Sequence, residues 1–446
     1  MLLQMFEAYS QQNLELSSHG HCYQQLVYQA FDHAKIPKKE IDKYLNVLAE
    51  LSWVLHKNGG AINQHQLDAF FKEYEKTYLP VDGKKVIDKL KSNSILVEKG
   101  SKVKFKYPYI FYFFTAKKIA ESFSTNPDVQ EEVRRLVANL HREDYANILV
   151  FVTHHTKEAW VLEEIQKALG LLFADQQPAT LSKKQLAFMD DFLAQIPDLV
   201  MEQRVISDER IKHNKNLDEI DREADTIDDE GEGNIESLDI LANINKTFKG
   251  MEISGQIIRN RHATLTRGAM LGLARNGAFT GLRFLNFFIH MSETAKLEVT
   301  KYIEHKLREH PGISNEKVQD YAKDAFLLMT YGVINGVIRK IASSIGSKEA
   351  SEIYASIQKT DQTPALTLLN QAIELHFNRA IDIQSVTQTA AKIKNNPVCT
   401  RILKEMVIQH TYMFPVEYKE KQQLAELLGI TVQGQRLMDR KKIGKA

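Results

Sequence analysis

Apolar side chains recur at helical spacing along most of this chain. Three such segments lie between residues 38 and 93, and Asn58-Gly59-Gly60 ends the first of them as a glycine-rich helix terminus. No fixed repeat period relates the later segments, so the pattern indicates an irregular array of helices instead of a solenoid. The predicted helices are Cys22–Lys35, Lys38–Lys57, Gln64–Tyr78, Gly83–Asn93, Val129–Leu140, Asp144–Thr153, Lys157–Phe173, Ser182–Val200, Leu297–His310 and Ser314–Ser344, with further helices in 240–289 and as far as Gly429.

A different pattern follows Ser94. Two short alternating runs, Ile95–Glu98 and Lys102–Tyr107, are separated by Lys99-Gly100-Ser101, which predicts a β-hairpin. Helices followed by a two-stranded ribbon form the outline of a winged helix, which is a helix-turn-helix with an appended hairpin. The expected fold class is therefore mainly α, with a winged-helix domain and its short hairpin followed by an irregular α-helical array.

Pro108 then opens a segment without a polar break. Proline suits the first turn of a helix, because its missing N–H would have no partner there. The following residues are apolar on every side, which predicts a helix enclosed by its neighbours. The run has about half of the ~20 residues needed to span a bilayer, so no membrane association is expected. The residues expected to form this core helix are Tyr109, Ile110, Phe111, Phe113 and Phe114.

Composition narrows the function classes. A net charge of +1 over 446 residues argues against nucleic-acid binding by bulk charge, though not against a local basic patch. Cys22 and Cys399 are the only cysteines, which excludes a disulfide framework and fits a cytoplasmic protein. Thirteen acidic and four basic residues between Ser207 and Asp239 predict a solvated linker, since so much charge disfavours a packed core.

No motif for nucleotide or hydrolytic chemistry occurs in the sequence. The phosphate-binding G-x-x-x-x-G-K-[ST] is absent, as are G-x-G-x-x-G, H-E-x-x-H and G-x-S-x-G. Histidines cluster at His19 and His21 beside Cys22, and at His154 and His155, but neither group has a second ligand pair at zinc spacing. We therefore expect no enzyme, no cofactor and no metal site.

One group of lysines is a candidate binding surface on the last helix before the hairpin and on the hairpin itself. Winged helices contact DNA with these elements, and lysine neutralises phosphate without base selectivity. Base recognition usually adds arginine or amide groups, and no arginine lies here. A solvated face used for protein contacts is the favoured interpretation, and weak DNA contact is the alternative. The eight members are Lys84, Lys85, Lys89, Lys91, Lys99, Lys102, Lys104 and Lys106.

Three stretches resemble a known family. Phe105–Ala120 is similar to the end of the winged-helix domain in STAND-type NTPases of the NACHT-like class, which carries the pattern F-x-H/Y…Y-F-x-A-x-x-I/L. Gly20–Leu26 resembles the start of the helical part that follows the nucleotide-binding core in prokaryotic members, and Glu252–Asn260 resembles a helical segment of their C-terminal regions. In that family an ATPase core with Walker motifs drives oligomerisation, and a helical array senses a trigger that is often viral.

The resemblance implies an order of domains. Residues 1–19 would be a helical lead-in and the remnant of a missing NTPase core, because Met1–Phe6 begins without a cap. A winged-helix-like domain would follow at 20–125, then the first part of the helical array at 126–206. An acidic linker at 207–239 would lead to the second part of the array at 240–446. No residue matches the ATPase motifs, so the ATPase activity of the family is not expected here.

The expected function is that of a non-catalytic sensor or regulatory portion of a STAND-like signalling NTPase. It would act by contacts with a protein partner or viral trigger protein, in antiviral defence, and would oligomerise only if joined to an NTPase core. The alternative is a DNA-binding winged-helix transcriptional regulator with a helical sensing or dimerisation region. Salt dependence separates the two, because affinity that rests on phosphate contacts falls steeply with salt.

Overall fold

The structure, a computed structural model, describes residues 36–156, 158–189, 198–227, 235–308 and 318–432, together with Tyr28, Phe31 and Ile196. Most of these residues are helical and the strands are short, which confirms the mainly α-helical prediction. The predicted lead-in 1–19, most of the helix Cys22–Lys35 and the acidic centre 228–233 lie outside the described residues.

The chain divides into two compact units. The first comprises Met1–Ala168 and Gln256–Leu265, and the second comprises Leu169–Gly255 and Thr266–Ala446. Residues 256–265 thus belong with the first unit although they lie far along the chain. The domain boundaries expected from the sequence are finer than this division and stay predictions.

The described helices are long relative to the strands, and both are numbered here in chain order. The helices are α1 (Ile41–Lys57), α2 (Gln64–Thr77), α3 (Gly83–Ser92), α4 (Pro108–Ser122), α5 (Pro127–Ala138), α6 (Glu143–His155), α7 (Ala159–Leu171), α8 (Ile206–Ile227), α9 (Ile235–Arg261), α10 (Arg267–Arg308), α11 (Val318–Ile345), α12 (Ser351–Thr360), α13 (Pro364–Phe377), α14 (Ile383–Ile393), α15 (Pro397–Met413) and α16 (Tyr418–Leu428). The strands are β1 (Ile62–Asn63), β2 (Leu96–Lys99), β3 (Lys102–Phe105), β4 (Val200–Met201) and β5 (Thr431–Val432).

Local sequence signals account for the element ends early in the first unit. Gly59 and Gly60 follow α1 with φ of 74° and 89°, a region that favours glycine. Asn63 begins α2 with a capping box. Its side-chain oxygen accepts a hydrogen bond from the backbone N–H of Gln66, and the Gln66 side-chain oxygen accepts one from the backbone N–H of Asn63. Asp82 begins α3 by accepting a hydrogen bond from the backbone N–H of Lys85.

Three strands form an antiparallel sheet in the order β1-β3-β2. The predicted hairpin is present, with Leu96 opposite Phe105 and Lys99 opposite Lys102. Its turn contains Gly100, with a φ of 56°. β1 was not predicted, because two residues are too few to show alternation. Residues 41–105 therefore run helix, strand, helix, helix, hairpin.

The aromatic segment forms α4, which begins at Pro108 with the proline in its first turn, as predicted. This helix packs chiefly against α1 and α6, with further contacts to α5 and β3. Phe114 has 0% exposed surface, and Ile110 and Phe113 are also buried. Tyr109 and Phe111 are only partly buried, so the face of the helix that carries Ile110, Phe113 and Phe114 lies in the core.

A buried carboxylate connects α1 to α5. Glu132 is 3% exposed, and its oxygens lie 2.8 Å from His56 Nε2 and 3.0 Å from Lys57 Nζ. Arg135, one turn later, places its Nε 3.2 Å from the same carboxylate. Burial alone would raise the pKa of Glu132, but the hydrogen bonds and charges of His56 and Lys57 outweigh burial and lower that pKa to about 2.

Two arginines donate to carbonyl groups at the ends of helices. In the first unit, Arg261 is buried and donates to the carbonyl oxygens of Thr153 and Thr156 at the end of α6. In the second unit, Arg283 donates to the carbonyl oxygens of Leu169 and Leu172. The last carbonyls of a helix lack partners within the helix and carry partial negative charge, so a cation stabilises them.

The helix predicted over Ser182–Val200 is wrong for the described part of that range. Gln185 Oε1 accepts hydrogen bonds from the backbone N–H groups of Thr180 and Leu181, and Leu181 has a φ of 52°. Such side-chain to backbone bonds compete with helix formation. A short 3-10 helix at Ala187–Met189 follows, and Val200 instead pairs in the parallel strands β4 and β5.

Much of the predicted acidic linker is helical, and the described side chains of that helix are mostly exposed. α8 spans Ile206–Ile227, and α9 begins at Ile235. α8 packs against α15, and Arg210 Nε donates to the carbonyl oxygen of Met413 over 2.8 Å. The sequence also carries a helical signal that the charge count did not consider, since Leu217, Ile220 and Ile227 recur at helical spacing.

Two long helices pack together in the second unit. α10 is continuous over 42 residues, so the separate helix predicted at Leu297–His310 is wrong. Its neighbour α11 is, among the described helices, the one long and apolar enough to cross a membrane, with a mean hydropathy of 1.3 over its most apolar window. Half of that window is buried inside the protein, and the core helix of a soluble protein has the same properties.

Phe114 should contribute heavily to the stability of the first unit. We expect Phe114→Ala to lower the free energy of unfolding by about 3–5 kcal/mol, because the cavity has no route to water. Lys117→Ala is the matched control on the same helix, since the ion pair of Lys117 with Glu121 is partly exposed and such pairs contribute about 0–1 kcal/mol. Urea unfolding of both variants checks this, and equal midpoints would show that α4 lies on a surface.

Glu132 should make stability depend on acid pH. Its pKa in the folded protein, about 2, lies below the ordinary value of 4.5, so its stabilising effect is complete above that value and is lost as pH falls through about 2. Glu132→Gln should destabilise the protein by about 3 kcal/mol at neutral pH, as for loss of one partner in a buried ion pair. The difference from the parent should shrink in denaturant titrations as the pH falls from about 5 toward 2. A difference in the free energy of unfolding that stays constant with pH would contradict the low pKa assigned to Glu132.

Candidate functional site

The lysine group defined above occupies α3 and the β2-β3 hairpin. In α3, Val86, Ile87 and Leu90 are buried, which leaves the opposite side of the helix for lysine. Lys84 and Lys85 are exposed there, while Lys89 and Lys91 are partly buried. A shallow depression on this side is lined by Asp82, Lys84, Lys85, Asp88, Lys89 and Ser92.

The hairpin directs its lysines away from the core by strand alternation. In β3, Val103 and Phe105 are buried, so Lys102 and Lys104, which alternate with them, lie on the other face. Lys99 of β2 stands directly opposite Lys102. Like charges in opposed positions repel each other, so this pair weakens the hairpin slightly. Lys106 follows the strand, with its Nζ 5.4 Å from the centre of the Tyr107 ring.

One ion pair connects the two parts of the lysine group. Lys91 Nζ at the end of α3 lies 2.6 Å from Glu98 Oε2 in β2. The other seven lysines form no ion pair with any residue that the structure describes. Asp82 and Asp88 are nevertheless close enough to line the same depression, and Asp82 is already engaged as the cap of α3. The group therefore presents mostly unneutralised positive charge to solvent.

The aromatic residues behind the hairpin support it. The ring of Phe105 lies 5.7 Å from that of Phe111 and 6.2 Å from that of Phe114, measured between centroids. Tyr109 stacks on Tyr107 with centroids 5.6 Å apart. α4 thus holds the hairpin in place, and its aromatic side chains are packing residues.

The histidine clusters fall into two cases. His19 and His21 lie outside the described residues. His155 Nε2 is 3.2 Å from the carbonyl oxygen of Phe113, and burial is the main cause that lowers the pKa of His155 to about 3. His155 is therefore neutral and joins α6 to α4. In the part of the chain that the structure describes, no group of three or more His, Cys, Asp or Glu side chains is placed to hold a metal ion.

Reasoning from the sequence missed two charged groups that connect elements of the first unit. Besides Glu132, these include Glu50, which accepts from Tyr78 Oη over 2.7 Å and pairs with Lys118. The hydrogen bond to Glu50 is the main cause that raises the pKa of Tyr78 to about 12. These partners lie 28 to 76 residues apart in sequence, so no local pattern reveals them.

Comparison with known proteins relates one segment to a family. Residues 61–115 match a family model described as Novel STAND NTPase 4. The matched segment contains β1, α2, α3, the hairpin and the first half of α4, and hence all eight lysines. This supports a relation to STAND-like NTPases. The other two stretches that resemble the family, Gly20–Leu26 and Glu252–Asn260, lie outside the match. No curated protein and no solved structure matches the chain.

Proposed function

We propose that this chain is a non-catalytic regulatory or sensor portion of a STAND-like signalling NTPase and that it acts by protein–protein contacts. The observation that carries the proposal is the match of residues 61–115 to a STAND NTPase family, on the segment that bears the exposed lysines. The helices in 126–206 and 240–446 would then serve as the sensing array. Cytoplasmic location and a role in antiviral defence belong to the same proposal, through the resemblance to that family.

The proposed winged helix rests on the order of elements in residues 41–105. α2 and α3 are consecutive helices, and the hairpin follows α3 directly. β1 adds a third strand to the hairpin through Ile62 and Val103. A helix-turn-helix extended by such a ribbon is the arrangement that the term describes. In this proposal α4 closes the domain by packing on α1 and β3.

The buried polar groups of the first unit bond to neighbouring elements, and this supports a regulatory role without catalysis. Glu132, Glu50 and His155 each bond to a residue of a neighbouring element, and their partners hold α1, α4, α5 and α6 together. Catalytic acids and bases instead face a cleft where a substrate can reach them. Charge available for binding lies on the lysine group, which fits an acidic surface on a partner protein. Complementary charge of this kind mainly speeds association and fixes orientation.

DNA binding is a second candidate because of one feature of the hairpin. Lys99 and Lys102 stand directly opposite each other in the strand register. Two opposed lysines lower the stability of the hairpin, so such a pair is expected where the lysines bind a negatively charged partner. The phosphate groups of DNA are one such partner. The absence of arginine in the lysine group makes base-selective contact less favoured than non-specific contact.

The non-catalytic proposal predicts no binding of ATP. A triphosphate needs clustered backbone N–H groups, which a glycine-rich loop at a helix start provides, and the sequence contains no such motif. Isothermal titration of the chain with ATP and Mg²⁺ should therefore give no heat above dilution. A dissociation constant in the micromolar range would contradict the proposal, and titration with ADP would then identify the nucleotide state.

The protein-contact proposal predicts weak and non-selective DNA binding. Fluorescence anisotropy with duplex DNA at about 150 mM salt should give dissociation constants no tighter than about 1 μM, as for non-specific contacts. Lys102→Glu with Lys104→Glu should abolish even this binding. The matched control is Lys72→Glu with Lys76→Glu, since both lysines are exposed on α2 outside the lysine group.

The outcome that favours the second candidate is equally definite. A sequence-selective complex in the nanomolar range, lost in the hairpin double variant and kept in the α2 control, would establish a DNA-binding regulator. Both double variants should melt at the temperature of the parent, because all four lysines lie at least partly in solvent. Loss of binding together with a lower melting temperature would be a folding effect.

A further inference from the structure

The outer side of α3 combines positive charge with an exposed apolar residue. Lys84, Lys85 and Lys89 line the shallow depression there, which has a volume of about 560 Å³. Leu79 lies three residues before Asp82, which lines the same depression, so their Cα atoms are at most about 11 Å apart. Leu79 is 86% exposed. These lysines and Leu79, the α3 surface, suit a partner that offers an apolar group among acidic ones.

The residues on both sides of Leu79 hold it in its exposed position. Tyr78 Oη donates a hydrogen bond to Glu50, and the Tyr78 ring lies 4.8 Å from that of Tyr74, measured between centroids. Pro80 restricts the backbone of the residue before it to extended conformations. Leu79 is therefore presented to solvent at a fixed place before α3. An apolar side chain gains little from phosphate, so Leu79 favours a protein over DNA as the partner.

α8 has the complementary composition in residues 217–227, which we call the acidic α8 segment. It holds five acidic residues and one arginine. Leu217, Ile220, Ala224 and Ile227 recur through it at helical spacing. An apolar pattern of this kind among acidic residues is typical of an amphipathic helix, and such helices bind with their apolar side against a partner. The acidic residues select a basic partner.

The contacts described between α8 and α15 lie in the first turns of α8. Arg210 donates to the carbonyl oxygen of Met413, and its guanidinium lies 5.6 Å from the centre of the Phe414 ring. Most described side chains beyond this point are exposed, and Ile211 is 56% exposed. Isolated helices are marginal in water, so a helix of 22 residues with so little cover gains stability from a further partner.

We propose that the acidic α8 segment of one copy of this chain binds the α3 surface of a second copy. The inference rests on the proposed use of the lysine group for protein contacts, and it names the partner. It differs from the expectation that oligomerisation needs an NTPase core. Two different surfaces meet, so the contact is heterologous. A single helix covers less than the roughly 800 Å² per partner of a stable interface, so we expect a dissociation constant of about 1–100 μM.

Sedimentation velocity of the full chain from about 1 to 200 μM, at about 50 mM and about 500 mM salt, tests the proposal. The weight-average sedimentation coefficient should rise with concentration at the lower salt. The rise should be smaller at the higher salt, because salt screens the charges. Lys84→Glu with Lys85→Glu should raise the dissociation constant at least about tenfold by placing like charges together. The same is expected of Asp221→Lys with Asp225→Lys.

A mixture of these two double variants separates a contact between copies from a folding effect. One variant keeps an intact acidic α8 segment and the other keeps an intact α3 surface. Neither should associate with itself, whereas an equimolar mixture should form a complex as the parent does. A mixture that stays monomeric would overturn the proposal. The matched control is Lys301→Glu with Lys323→Glu, which makes the same charge change at exposed positions of α10 and α11 and should associate like the parent.

Leu79→Ser tests the apolar part of the contact. It should raise the dissociation constant at least about fivefold and leave the melting temperature unchanged, because the side chain is exposed. An unchanged constant would overturn the place of Leu79 in the contact. A parent that stays monomeric up to about 200 μM at the lower salt would overturn this inference alone, because the proposed function requires a partner protein but not a second copy. A sequence-selective nanomolar DNA complex would instead overturn the proposed function on which the inference rests.

Discussion

A helical segment that is apolar on every side, such as residues 109–114 at the start of α4, is stable in water only if other elements cover it, and this constraint organises the first unit. α4 meets the constraint because α1, α5, α6 and β3 all pack against it. α4 supplies the fully buried ring of Phe114, and its Phe111 and Phe114 pack against Phe105 of the hairpin. The free energy gained by burying such aromatic groups is large, so the neighbours of α4 are fixed relative to each other.

The direction of the lysine group follows from the same packing. Once Phe105 and Val103 are buried, strand alternation leaves Lys102 and Lys104 no position other than the outer face. The positions of the hairpin lysines are thus a consequence of the core and not of any contact that the lysines make. This arrangement resembles many binding surfaces, in which a rigid scaffold carries charges that do little for stability.

The lysine group differs in its physics from the core that carries it. The lysine group acts through charge, whose effect reaches about 8–10 Å at physiological salt and weakens as salt rises. The core beneath it is held by burial of apolar side chains, which does not rest on charge.

The sequence by itself determined the described helices and the hairpin between residues 41 and 122, because their signals are local. Pro108, the glycines after α1 and the alternation around Gly100 act within a few residues, and the structure has the elements they predict. Charge counting over residues 207–239 missed α8 although its helical spacing is local, whereas the packing of α8 on α15 joins segments about 200 residues apart and has no local signal. Only the tertiary structure decided that Glu132 would be buried against His56 and that Glu50 would pair with Lys118. Both depend on which distant elements arrive as neighbours, and no local pattern encodes that.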